Sequence, residues 1–167
     1  DRQMARRALE TLTLYKGDPE KENNRVISID DVRTALGDTA SVSLDDLIYA
    51  VADGQVKALE RNLQKLFAEG MSPVAVLRAL QNHFRRLHLS KIRMDKGLRA
   101  DEAMAKLRPP VFFKVKERFG RELMQWSAPE LLEMLNAFSE AEIACKSSNI
   151  PDTVFCSKVV FDAAFKR

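Results

Sequence analysis

Apolar residues recur along this chain at intervals of three and four almost from end to end, the spacing that gathers them on one face of a helix. Leu44, Leu47, Ile48 and Val51 form one such stripe; Val56, Leu59, Leu63, Leu66 and Phe67 form the next. Gly54 and Gly70 follow these stripes as terminators. Ser72-Pro73 is a start signal: serine accepts from a free N–H of the first turn, and proline gives up an N–H that had no partner. A long helix is predicted from there to Met94, closed by Gly97. A short helix over 101–107 follows, and Arg108-Pro109-Pro110 then opens another with the stripe Phe112, Val115, Phe119, Leu123 and Trp126. Ser127 with Pro129 starts a further long helix carrying Leu131, Leu135, Phe138 and Cys145; Asn149 and Pro151 break it, and a last helix runs over 152–165. Upstream, helices are predicted over 3–16 and 29–36, the second opened by the Ser28/Asp31 spacing of a capping box. A polar loop over 18–25 lies between them. Residues 38–42 read as a linker, and Ser43 with Asp46 as the capping box that opens the main body. Only 25–29 has a β-branched flavour, too short for a sheet. Short loops between amphipathic helices imply antiparallel neighbours, so the predicted fold is all-α, a helical bundle.

With 167 residues, 46% hydrophobic and 31% charged, the chain can bury a core and is not of the disordered class. It opens without an initiator Met, inside a predicted helix, and is expected to be a piece of something longer. No run approaches the roughly 18 apolar residues of a spanning helix, and no signal peptide opens the chain. Cys145 and Cys156 form no CxxC and have no histidine at ligand spacing, so they are expected as free thiols in a reducing, cytoplasmic setting.

Catalytic and cofactor chemistry find little support. The six glycines are isolated and none belongs to a phosphate-cradling loop, so no nucleotide or other cofactor is expected. His83 and His88, five apart, point about 140° apart around a helix and cannot share a metal ion. Asp30-Asp31 and Asp45-Asp46 fall in first helical turns, where carboxylates suit the positive end of the dipole. The serines sit at caps, with no nucleophile elbow. No catalytic residue is expected.

Charge is informative through its distribution. The whole chain carries +3, yet between Arg78 and Arg121 thirteen Lys/Arg face four Asp/Glu. Arg78, Arg85 and Lys96 fall close to one helical stripe, and Lys114 and Arg118 lie on the next long element; these five are the candidate basic patch. Such a segment can be a solvated face, part of a protein interface, or a phosphate-contacting surface. Phe112 and Phe113 are adjacent, so in a helix about 100° separates them, and one ring would face the core while the other meets a second element or a partner.

Several stretches resemble the delta subunit of the bacterial DNA polymerase III clamp loader. Arg7-Ala8-Leu9-Glu10-Thr11-Leu12-Thr13-Leu14-Tyr15 is similar to the helix ending that family's lid-like domain, although Ala8 and Thr11 stand where Glu and Lys are usual. Ile27-Ser28-Ile29-Asp30-Asp31-Val32 fits the same region. Asp46-Leu47-Ile48, Ala50 to Gly54, and Glu69 to Leu80 continuing into His83-Phe84-Arg85-Arg86-Leu87 resemble the opening of the family's collar domain. Leu107-Arg108-Pro109-Pro110-Val111-Phe112-Phe113-Lys114 is similar to the alphaproteobacterial branch, and Glu140 to Ser147 to the closing helix pair. The resemblance implies the end of a lid-like AAA+ domain over 1–40 and a helical collar, an oligomerisation domain, over 41–167. It implies no catalysis by this chain, since polymerase chemistry belongs to another subunit of the holoenzyme. It further implies partners: the ATPase subunit and delta-prime through the collar, the sliding clamp through an N-terminal domain outside this chain, and primed DNA through the whole complex. Chemistry and resemblance together single out Arg85, Arg86, Phe112, Phe113 and Lys146 as candidate subunit-interface residues. The alternative is a free-standing helical DNA-binding domain using segment 78–121; a helical bundle responsive to a small molecule is a third class.

Overall fold

The structure, a computed structural model, describes residues 38–147 and 151–167, with side chains from Leu44 onward. The elements expected over 3–16, 18–25 and 29–36, and the break at Asn149, lie outside the described residues. The chain divides into two units, Asp1–Ser43 and Leu44–Arg167.

The described residues form seven α-helices and no strand: α1 Asp38–Ala52, α2 Val56–Ala68, α3 Pro73–Asp95, α4 Ala100–Ala105, α5 Lys116–Gln125, α6 Ala128–Ser147 and α7 Asp152–Ala164. The all-α expectation is met. Two local expectations are not. Residues 38–42, read as a linker, are the first turns of α1, and Ser43, Asp45 and Asp46 therefore lie in the middle of a helix and not at its start. The helix expected to open at Pro109-Pro110 begins only at Lys116, after a 3₁₀ turn over Phe113–Val115. The two prolines lack N–H groups, and each biases the residue before it toward extended backbone. Phe112, two residues beyond Pro110, has φ −63° and ψ 137°, outside any helix.

Other starts behave as their residue types dictate. The Ser72 hydroxyl accepts from Ala75 N–H at 3.2 Å, with Pro73 in the first turn of α3. At α6 the cap is reciprocal. Ser127 N–H donates to Glu130 Oε2 at 2.8 Å, and Glu130 N–H donates to the Ser127 hydroxyl at 3.4 Å.

The core is organised along α3. Its inward stripe of Leu77, Leu80, Phe84 and Leu87 is fully buried, and α3 packs on α6, α7, α4 and α5. Phe84 meets the Trp126 and Phe138 rings edge-on, each at 5.2 Å between centroids. Burying a side chain of this size stabilises by about 1.5–3 kcal/mol, and edge-to-face pairing adds about 0.5–1.5 kcal/mol. The Trp126 indole N–H donates to Ala52 O at 2.9 Å, tying the end of α5 to the end of α1. Over the same indole the Arg167 guanidinium sits 3.6 Å from the ring centroid, held by Gln125 O at 3.0 Å and Glu130 at 3.0 Å.

Gly54 belongs to this knot. Its φ is +69°, and a Cβ placed on it would stand 2.6 Å from the Arg167 Cβ. Gly54→Ala is therefore expected to destabilise by at least the roughly 1–2 kcal/mol of left-handed backbone strain. The same change at Gly70, also at positive φ but with open space around it, should lose only the strain term. Thermal melts of the two variants check the difference; equal losses would contradict the close approach.

Glu130 supplies a second prediction. Hydrogen bonds from the Ser127 hydroxyl and backbone hold its carboxyl down to about 2, with Arg167 adding to the effect. A depressed folded pKa means stability that is present above the unfolded value of 4.5 and is lost as pH falls through the folded value. Glu130→Gln should thus melt below the parent protein at neutral pH, and the gap should close between pH 4.5 and about 2. A pH-independent gap would contradict it.

Candidate functional site

Many of the basic residues between Arg78 and Arg121 stitch the bundle together. Lys91 Nζ donates to Leu123 O at 2.8 Å, Arg93 to Ala103 O at 3.2 Å, and Arg108 to Ala105 O and Leu107 O at 3.2 and 3.0 Å. Each satisfies a carbonyl near the C-terminal end of a helix, where cations are favoured. Of the predicted basic patch, Arg78 on α3 is paired with Glu142 of α6 at 2.8 Å, and Arg118 of α5 with Asp53 at 2.7 Å. Lys114 lies 6.0 Å from the Phe112 ring centroid. Arg85 and Lys96 are exposed, and their side chains make no hydrogen bond or ion pair among the described residues.

Of the predicted interface residues, Lys146 is occupied by Glu142 at 2.6 Å. The Glu142 carboxyl is pulled down to about 2 by hydrogen bonds from Lys146, Arg78 and Gln81. Three of the others, Phe112, Phe113 and Arg86, fall on or beside one ledge, the segment 108–115 with the α3 turn behind it. Phe112 and Phe113 do not divide between core and surface as a helix would have required. They are 57% and 73% exposed, and their rings meet at 4.6 Å between centroids, tilted by 56°. Arg86 reaches the ledge from α3, donating from Nη2 to Pro109 O at 3.2 Å, with its guanidinium 5.9 Å from the Phe119 centroid. Arg85 is its exposed neighbour.

Between the ledge, α3 and α1 lies a cleft of ≈340 Å³, walled by Leu44, Ile48, Val111 and Phe112 and lined more deeply by Tyr49, His83 and Arg86. Behind it is a feature that sequence reasoning missed. Glu122 is wholly buried, and its Oε2 is 2.8 Å from His83 Nε2. Its Oε1 has no partner among the described residues. The His83 ring is fixed edge-on by Tyr49 at 5.4 Å and Phe119 at 5.6 Å. Arg118 spans the same region, 4.4 Å from the Tyr49 centroid. Burial, and then the Glu122 charge, push the Tyr49 hydroxyl up to about 12. Glu122 reads in sequence as one more polar position on an amphipathic helix; its opposite number His83 is 39 residues away, and no local spacing joins them.

Among the described residues there is no metal-binding cluster. The thiols are free, as expected, and burial pushes Cys156 up to about 12 and Cys145 in the same direction, away from thiolate reactivity. No helix among the described residues is long and apolar enough to cross a membrane. The conspicuous surface feature is apolar: besides the Phe pair, Ile143, Val154 and Phe165 are each more than half exposed.

Comparison with known proteins gives two matches. The family profile described as DNA polymerase III delta subunit, C-terminal domain, matches residues 45–162. Among solved structures, the Bacillus subtilis DNA clamp loader delta protein (YqeN) superposes with a TM-score of 0.65 at 14% identity. The match covers 96% of this chain and 45% of that one, so this chain spans less than half the length of that relative. No curated protein sequence matches.

His83→Ala would leave Glu122 buried with both oxygens unpaired, an expected cost of about 1–3 kcal/mol. Replacing the pair together, His83→Leu with Glu122→Leu, should recover much of that loss. Chemical denaturation of the single and double variants checks the coupling; additive losses would contradict it.

Proposed function

This chain belongs to the family of DNA polymerase III delta subunits, as their C-terminal domain, and from that premise we propose that it is the assembly module of a clamp loader. In this reading the bundle over 41–167 is a collar that packs against the ATPase subunit and delta-prime. Residues 1–40 end a lid-like domain, and the sliding clamp and primed DNA are met elsewhere in the complex. The module contributes no catalysis; it holds the subunits in register while the clamp is placed on DNA.

The observation that carries the reading is the Phe112–Phe113 pair. Two adjoining, exposed aromatic rings on a proline-stiffened segment are costly to leave in water and pre-arranged to be covered. Aromatic residues and arginine are the types enriched where interfaces concentrate their energy, and Arg86 reaches the same segment. The DNA-binding alternative draws on the same basic segment. It is the weaker reading, because Arg78 and Arg118 are committed to carboxylates within the domain.

Native mass spectrometry of this chain with the cognate ATPase subunit and delta-prime tests the proposal. A mixed complex is expected, and Phe113→Ala should weaken it by at least about tenfold, the scale of an interface hot spot, with the melting temperature of the free chain unchanged. If the chain stays alone where the full-length subunit assembles, the assembly reading fails. Tight binding to primed DNA with a steep salt dependence would then favour the alternative.

A further inference from the structure

Arg86 differs from the other half-buried arginine of this region. Arg118 has found Asp53; Arg86 has no carboxylate among the described residues. Its one hydrogen bond is to a backbone carbonyl, Pro109 O at 3.2 Å, and its Nε is out of reach of water with no acceptor at all. A guanidinium with one N–H withdrawn from water and no counter-ion is an unmet electrostatic demand. It lies in a cleft whose walls, Leu44, Ile48, Val111 and Phe112, are apolar, and the ≈340 Å³ of that cleft is at the small end of the range for a binding pocket. The exposed cations Arg85 and Lys114 stand on the elements that frame it, α3 and the ledge. Asp45, on the α1 wall, has an interaction of its own.

We infer that this cleft receives a short acidic–apolar segment of a partner protein, a carboxylate side chain seating on Arg86 with a neighbouring large apolar side chain between Ile48 and Phe112. Charge complementarity selects the acid: a carboxylate can meet a guanidinium with two parallel hydrogen bonds. The apolar walls select its neighbour. Arg85 and Lys114 would speed the encounter more than they would tighten the bound state. The inference extends the assembly reading, since it concerns the same face, and it names the chemistry of what that face binds.

The test uses this chain alone and a fluorescein-labelled peptide in which a glutamate precedes two leucines, with its glutamine counterpart as control. Fluorescence anisotropy should show saturable binding of the glutamate peptide, weakened at least about tenfold by glutamine in the peptide or by Arg86→Gln in the protein. Lys96→Gln, far along α3, should leave it unchanged. Amide NMR shifts on titration should cluster at 44–49, 79–86 and 110–119. If Arg86→Gln lowers the melting temperature appreciably, Phe112→Asp serves instead: it places an acid at the wall of the cleft and should repel the peptide. Equal binding of the two peptides, shifts outside the cleft, or no saturation at millimolar peptide would overturn the inference. Its failure is separable from that of the assembly reading: loss of peptide binding with the mixed complex intact removes only the cleft's role, whereas peptide binding without a mixed complex removes only the assembly.

Discussion

The contact on which the rest of this domain depends is the meeting of Phe84, Trp126 and Phe138. Phe84 sits on the longest helix, Phe138 on the helix that packs most extensively against it, and Trp126 at the point where α5 stops and the chain turns into α6. Because Trp126 also bonds Ala52 O, the aromatic cluster fixes the end of α1, the end of α5 and the start of α6 together. With α5 anchored at that end, its other end fixes where the 108–115 segment must run. Pro109 and Pro110 keep that segment from joining the helix, and the two phenylalanines are left outside the core. The exposed ledge is thus a consequence of how the core is closed.

Electrostatics follow the same plan. The excess of positive charge between Arg78 and Arg121 is mostly spent on the domain itself, in carbonyls at helix ends and in cross-helix pairs with Asp53 and Glu142. What remains, Arg85, Lys96, Arg99, Lys106 and Arg121, is exposed and spread over α3, both ends of α4 and α5. A domain that uses its cations internally has less to offer a phosphate backbone and more rigidity to offer a partner. The buried Glu122–His83 pair adds to this: a half-satisfied polar pair under the cleft floor ties α5 to α3 and orients the side chains that line the cleft.

Helix number and order from α2 onward were legible in the sequence, because a 3.6-residue period and the punctuation by Gly54, Gly70, Ser72-Pro73 and Ser127 are local signals. The start of α5 was not. Proline in a first helical turn and proline ending in an extended segment look alike in sequence, and the choice depends on whether the following residues have a surface to pack on. The start of α1 was lost for the opposite reason: Asp38, Thr39 and Ala40 carry no apolar stripe, so nothing in the pattern marks them as helical. At the candidate site the aromatic pair and the arginines were visible as residue types. Which cation would meet a carboxylate was not visible, because Arg78 and Glu142 are 64 positions apart and Arg118 and Asp53 are 65 apart.

We propose that the Phe112–Phe113 ledge is the surface through which this domain joins its partners. Hydrogen–deuterium exchange of the chain, free and in complex with the ATPase subunit and delta-prime, addresses it most directly. The account predicts new protection over 108–119 and the adjoining turn of α3 around Arg85 and Arg86, with the buried stripe of α3 already protected and unchanged. Protection confined to other faces, with 108–119 exchanging as fast in the complex as in the free chain, would contradict it.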